Sequence, residues 1–268
     1  MSSIAYPVAF TLFLWWFSTG AILYLDGLPR HTFRWSLLAA TGVLAGALVC
    51  LAQASAETTA TSAYAAFTCG ILVWGWLEMS FLMGFITGPR RTPCPPASRG
   101  LLRMRHAIEA ILYHELALIG GAVLIATSTW GNPNQLGLWT YAVLWILRTS
   151  AKLNVFLGVR NLSEEFLPDH LRYLQTYFTR KPMNLLFPVS VTVATIAAIR
   201  LWQAALAPGA GEFDAAALSF VATLLTLAVL EHWFLVVPIP ANLLWQWGLA
   251  SRKPDVTGST RSGAASLS

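Results

Sequence analysis

The chain has 268 residues, of which 56% are Ala, Val, Ile, Leu, Met, Phe, Trp, Tyr or Cys and only 11% are charged. Soluble domains carry about 25% charged residues. With a mean hydropathy of +0.59, the composition excludes an ordinary soluble enzyme, a disordered chain, a collagen-like repeat and a disulfide scaffold, and leaves an all-α, multi-pass transmembrane bundle. In such a chain the formal charge of +5 is a topology signal first, so no nucleic-acid partner is expected.

A spanning helix needs about 20 mostly apolar residues. The first qualifying stretch, 4–25, lacks the basic leader and small-residue cleavage site of a signal peptide and is expected to stay as an anchor. Asp26-Gly27-Leu28-Pro29 turns the chain into 35–53, and 64–87 follows. The stretches 107–128 and 136–157 flank the turn Gly131-Asn132-Pro133-Asn134, and 184–206 and 215–237 complete a set of seven. The apolar piece from Pro238 to Leu249 is short and Pro-broken, which predicts an interfacial or re-entrant segment. Residues 1–250 then form one transmembrane domain, and 251–268, rich in Ser, Gly and Arg, a disordered cytoplasmic tail.

Of the 17 Lys and Arg residues, all but Arg148, Lys152 and Arg200 fall in the first, third and fifth loops or the tail. The second, fourth and sixth loops hold none. This asymmetry places the N-terminus in the periplasm and the C-terminus in the cytoplasm. Trp15, Trp35, Trp130, Trp139, Trp202, Trp245 and Trp247 fall where an interfacial belt would anchor the bundle. In the third loop, Thr87-Gly88-Pro89-Arg90-Arg91-Thr92-Pro93-Cys94-Pro95-Pro96 predicts a rigid turn whose arginines meet anionic lipid or an acidic partner. In the fifth, Pro168 opens a short amphipathic helix with Leu171, Leu174 and Phe178 on one face, lying on the membrane or docking a partner.

Three sets of matches suggest a faint internal duplication, which chance similarity among apolar helices would equally produce. Leu14-Trp15, Thr19, Ala21, Leu23 and Arg30 match Leu144-Trp145, Thr149, Ala151, Leu153 and Arg160. Ser36, Ala40 and Thr41 match Ser190, Ala194 and Thr195. Leu77-Glu78-x-x-Phe81-Leu82 matches Leu230-Glu231-x-x-Phe234-Leu235. Spans 1–3 and 5–7 would be parallel repeats joined by span 4, making Glu78 and Glu231 equivalent.

Ionisable groups at bilayer depth are costly and either pair or work. At 1.5 Å per residue, Glu78 lies roughly 14 Å above the cytoplasmic end of its span, His114 and Glu115 about 13–15 Å, and Arg148 about 15 Å. Lys152 lies about 9 Å up, and Glu231 and His232 about 7–9 Å. With Glu109, which shares a helix face with His106 and Tyr113, these residues form a candidate intramembrane ligand site. They could equally be ion pairs that hold helices together. Arg200, near the outer end of its span, is expected to snorkel. Metal ligation through Glu78, His114, Glu231 and His232 lacks a recognised motif, although His114 or His232 could ligate haem iron or the magnesium of a chlorophyll. His31 and His170 fall in loops and read as solvated. Cys50, Cys69 and Cys94 make neither a disulfide framework nor a zinc site.

Three segments resemble the PuhE-type photosynthetic complex assembly proteins of purple bacteria. They are Trp74-Gly75-Trp76-Leu77-Glu78 running on to Cys94-Pro95, Arg160-Asn161-Leu162-Ser163-Glu164-Glu165-Phe166-Leu167-Pro168, and Arg180-Lys181-Pro182-Met183-Asn184-Leu185-Leu186-Phe187-Pro188. The likeness extends to about residue 250. It implies a protein of the bacterial inner, intracytoplasmic photosynthetic membrane, linked to reaction-centre genes. The implied role is assembly of the photosynthetic apparatus or modulation of bacteriochlorophyll supply, with photosynthetic complex subunits or pigment-synthesis enzymes as partners. No catalytic residues come with the resemblance. Glu78, Arg90, Arg91, Cys94, Asn161, Glu164 and Glu165 are carried as motif members of unassigned role, and Arg90, Arg91, Cys94, Glu164 and Glu165 mark the loops expected to meet a partner or lipid.

The leading expectation is therefore a non-enzymatic assembly or pigment-handling factor whose polar pocket holds bacteriochlorophyll or another tetrapyrrole. The alternatives are a metal- or haem-dependent oxidoreductase acting on a bacteriochlorophyll precursor or quinone, and a transporter.

Overall fold

The computed structural model describes residues 2–252, so the expected disordered tail beyond Arg252 lies outside the described residues. Seven long helices run through the bundle: α1 (Ser2–Asp26), α2 (Phe33–Ser55), α3 (Ala60–Leu82), α4 (Gly100–Ser128), α5 (Leu136–Leu157), α6 (Leu186–Ala205) and α7 (Glu212–Phe234). A short α8 (Gln246–Leu249) lies within a chain of 3₁₀ turns that ends at Arg252. All of the long helices except α5 are long and apolar enough to cross a membrane. α5 has the length, but Arg148, Lys152 and Asn154 dilute its second half. It runs antiparallel to α4 nonetheless. Tyr141 donates to the Leu118 carbonyl at 2.7 Å, Lys152 meets Glu115, and the Arg103 guanidinium lies 4.3 Å from the centre of the Phe156 ring.

Two helix ends depart furthest from the sequence expectation. α3 stops at Leu82, not 87, because Gly84 takes φ +82° and the Phe85 and Ile86 N–H groups both turn back to the Ser80 carbonyl, at 3.0 and 3.2 Å. A left-handed glycine after the last turn ends helices in this way. α4 begins at Gly100, not 107, so Arg103, Arg105 and His106 are helical rather than in a loop.

α3 and α7 are the buried pair, and small residues explain why. Ala63 and Ala66 on α3, and Ala215, Ala216, Ser219 and Ala222 on α7, are all buried. Lipid tails are as apolar as leucine, so helices in a bilayer associate through close packing, which small residues permit. Phe67 and Phe220 stack between the two helices with ring centroids 4.3 Å apart. Around this centre the contacts follow a pattern: α2 lies along α3 and α6 along α7, while α3 packs on α5 and α7 on α1. α1 barely touches α2, and α5 barely touches α6.

At the end away from the basic loops, Asn134 locks the chain. It is fully buried, donates to the Ala54 and Ser62 carbonyls at 3.0 and 3.3 Å, and accepts from the Leu136 N–H at 3.0 Å. Thr59 and Ser62 cap α3 reciprocally, a box that satisfies two free N–H groups.

The segment after α7 follows the last three turns of α1. Trp16 donates to the Leu244 carbonyl at 2.8 Å and Trp245 to the Trp16 carbonyl at 3.0 Å. Ser251 reaches the Tyr24 carbonyl at 2.8 Å, and Arg252 pairs with the buried Asp26. Residues 251 and 252 are thus part of the folded body. Trp35, Trp130 and Trp139 are exposed, as belt residues would be, but Trp245 is buried and Trp15 points to Glu231.

Candidate functional site

α3, α4 and α5 bring Glu78, His114 and Arg148 together. Glu78 is buried, with Oε2 3.4 Å from Arg148 Nη2 and Oε1 3.7 Å from His114 Nε2. His114 is 1% exposed, its ring 4.5 Å from that of Phe81. Neither imidazole nitrogen has a hydrogen-bond partner, nor does Glu78 Oε1. Leaving a buried polar atom unsatisfied costs about 1–3 kcal/mol. The Arg148 side chain is 47% exposed. One turn on, Lys152 donates to Glu115 at 2.7 Å, as its i,i+4 spacing from Arg148 allows.

The third loop sets the height of His114. Thr87-Gly88-Pro89-Arg90 lies edge-on against α4, where the His114 N–H donates to the Thr87 carbonyl at 2.9 Å and the Arg90 N–H to the Glu109 carbonyl at 3.3 Å. A Cβ on Gly88 would fall 2.2 Å from the Glu109 carbonyl oxygen. Only glycine fits between loop and helix.

The remaining expected site residues are dispersed. Glu231 accepts from Trp15 Nε1 at 2.7 Å, a contact between α7 and α1. His232 lies 2.8 Å from the Ala228 carbonyl through Nδ1 and 2.9 Å from Ser150 Oγ through Nε2. A carbonyl can only accept, so Nδ1 carries the proton and Nε2 accepts from Ser150. The Ser190 hydroxyl is 2.9 Å from that of Ser150, and Asn154 donates to Ser190 at 3.3 Å. Glu109 is apart from the Glu78 group, with Arg105 at 2.8 Å and Arg90 at 3.9 Å. Among the described residues no three His, Cys, Asp or Glu side chains converge as a metal site would require.

A tetrapyrrole would be held here through an axial ligand to its metal. An axial ligand needs a free nitrogen facing open space. The Nε2 of His114 faces Glu78 inside close packing, and both nitrogens of His232 are engaged. A cavity of about 890 Å³ between α5, α6 and α7 is lined by Ser150 and Ser190 and by neither histidine. In this arrangement the residues do not fit an axially held macrocycle.

The third and fifth loops interlock into a cap. Arg103 donates to the Tyr177 carbonyl at 2.5 Å, to Thr179 Oγ1 at 2.7 Å and to the Phe156 carbonyl at 3.4 Å. Arg90 Nε donates to the Tyr177 hydroxyl at 2.9 Å, and the Cys94 N–H to Thr176 Oγ1 at 2.8 Å. Glu164 pairs with Arg180 at 3.3 Å, and the Glu165 carbonyl accepts from Arg252 at 2.8 Å. Asn161 holds the turn after α7 through the Phe234 and Val237 carbonyls. Of the loop residues expected to meet a partner, Arg91 and the Glu165 side chain are exposed, while Arg90, Cys94 and Glu164 are partly covered.

The expected amphipathic helix is a 3₁₀ helix, Asp169–Tyr177. Its period of three buries Leu171, Leu174 and Tyr177 rather than Phe178, and the face packs on Phe81, Leu82 and Ala110 of this chain. His170 is not free in solvent but lies against the Phe33 ring, 6.1 Å between centroids. Burial holds its imidazole pKa below the ordinary value.

The model of a family described as a protein of unknown function, DUF3623, matches residues 1–256. The chain belongs to that family. It is also 41% identical over 249 residues to a Rhodobacter capsulatus protein described as an uncharacterized 30.4 kDa protein in the puhA 5′ region, covering 90% of this chain and 89% of that one. No solved structure matches. The matched region takes in the cluster, the cap and the segment along α1.

Proposed function

We propose that this family member is a non-enzymatic membrane factor of the bacterial photosynthetic apparatus, serving assembly of reaction-centre and light-harvesting complexes or the supply of bacteriochlorophyll. The puhA 5′ position of its Rhodobacter capsulatus relative and the PuhE-type motifs support the setting. The observation that carries an assembly role is Arg148. About 14 Å from the end of α5, its half-exposed guanidinium is held by a single carboxylate on the outside of an apolar bundle. A charge at that depth is expensive unless paired, so a partner helix bearing an acceptor would complete the site. Glu78, with His114 beside its other oxygen, sets the guanidinium's position behind it.

The test is a deletion strain of a purple phototroph, read by membrane absorption. Loss of near-infrared antenna or reaction-centre bands, restored by the wild-type gene and not by an Arg148→Ala variant present at equal level, is the expected result. Unchanged spectra on deletion would overturn the proposal.

A second reading, an oxidoreductase dependent on a metal ion, is favoured by the unpartnered His114 nitrogens beside Glu78. Stoichiometric iron in the purified protein, lost in Glu78→Ala or His114→Ala, would establish it. Two convergent ligands, where a catalytic metal takes at least three, make it the weaker reading.

We further propose that α1–α3 and α5–α7 are parallel repeats with α4 as linker. Phe67 and Phe220 are 153 positions apart, as are Glu78 and Glu231, and they stack on each other at the centre. Glu78 reaches to α5 as Glu231 reaches to α1.

A further inference from the structure

The loose contact between α5 and α6 leaves a groove of about 890 Å³, closed behind by α7. It runs from Gln135, the cap of α5, to Ser150, fifteen residue steps along the helix, or about 22 Å at helical rise. Its walls are apolar, among them Val143, Leu147, Val193, Ala197 and Leu225. At its inner end Ser150 and Ser190 are tied into the network of His232 and Asn154, so their hydroxyls are already committed. What lies along this length must be apolar.

The other end is different. Arg200 of α6 and Asp214 of α7 both line the mouth. Arg200 has only the neutral Gln203 side chain, at 3.3 Å, and neither residue belongs to an ion pair among the described residues. One cation and one anion thus stand free at the rim of a chain-length apolar slot. The size falls within the range of ligand pockets, about 300–1,000 Å³.

We propose that this groove binds one aminophospholipid, phosphatidylethanolamine in class, with an acyl chain between α5 and α6, the phosphate at Arg200 and the ammonium at Asp214. The charges match in sign and number. An anionic lipid lacking the amine would meet Asp214 as a like charge. The assignment does not rest on the photosynthetic role, since it uses neither Arg148 nor the cap.

The test is native mass spectrometry of the full chain, delipidated in detergent and re-supplied with phosphatidylethanolamine or phosphatidylglycerol. One phosphatidylethanolamine per chain is expected, retained at least tenfold better than phosphatidylglycerol. Arg200→Ala should weaken both lipids, and Asp214→Asn should remove the preference between them. Ala197→Trp, which fills the groove at mid-height, should abolish retention in a monodisperse, fully helical protein. Equal retention of the two lipids by the wild type would overturn the proposal. So would undiminished retention in Ala197→Trp, or a co-purifying membrane polypeptide whose loss from Ala197→Trp shows that the groove is a helix dock.

Discussion

Two glycines that look alike in sequence separate at the level of atoms. Gly88 has the backbone of α4 where its Cβ would be, 2.2 Å from a carbonyl oxygen, whereas Gly42 has open space. Gly88→Ala should therefore destabilise the protein by at least the 1–3 kcal/mol typical of overpacking, because the obstructing atom is backbone and cannot rotate away. Gly42→Ala, in the middle of α2, should be neutral or stabilising by about 0.5–1 kcal/mol. Thermal midpoints of the two variants in one detergent would decide it, and equal midpoints would sink the account of loop against helix. The same scale shows what a sequence can reveal of a site. Glu78, His114 and Arg148 are conspicuous because charge is rare in apolar runs. The roles of Trp15 and Ser150 are not conspicuous, yet these residues hold Glu231 and His232.

At the scale of elements, the cap is where expectation and structure differ most. The 3₁₀ helix Asp169–Tyr177 was legible as an amphipathic segment, but its partner was not, since the apolar surface that receives it comes from α3 and α4. The third loop's arginines read as membrane-surface charges, yet Arg103 is a bridge inside the cap. Arg103→Ala should cost about 2–3 kcal/mol, in the range for hydrogen bonds to a charged group, and raise hydrogen exchange across 169–181 first. His170 gives the cap a pH response. Its folded pKa is depressed by burial, so the unfolded loop binds the proton more readily, and the contact is stable above the ordinary imidazole pKa and lost as pH falls. Faster amide exchange in 166–178 at pH 5 than at pH 8, after correction for intrinsic rates, is expected for the wild type and should be blunted in His170→Gln. An identical pH response in the variant would assign it elsewhere.

For the whole molecule, the seven long helices were legible in the sequence, but the number of spans was not settled by hydropathy, because α5 carries the charges that dilute it. Packing supplies an argument that apolarity does not. The third and fifth loops meet in one cap, through Arg90 with Tyr177 and Cys94 with Thr176. α4 leaves that cap and α5 returns to it alongside α4. If α4 crosses the bilayer, α5 must cross it too, with Arg148 and Lys152 tolerated because Glu78 and Glu115 lie opposite them. The charge asymmetry of the loops then predicts that the cap faces the cytoplasm. In a variant with the three native cysteines replaced by serine, a cysteine at the exposed position Asp169 should react with an impermeant maleimide only from the cytoplasmic face. A cysteine in place of the exposed Trp130 should react only from the other. Both reacting from one face would mean that α5 does not span. The reversed pattern would keep seven spans and overturn the orientation, and with it the expectation that Arg91 and Glu165 face cytoplasmic partners.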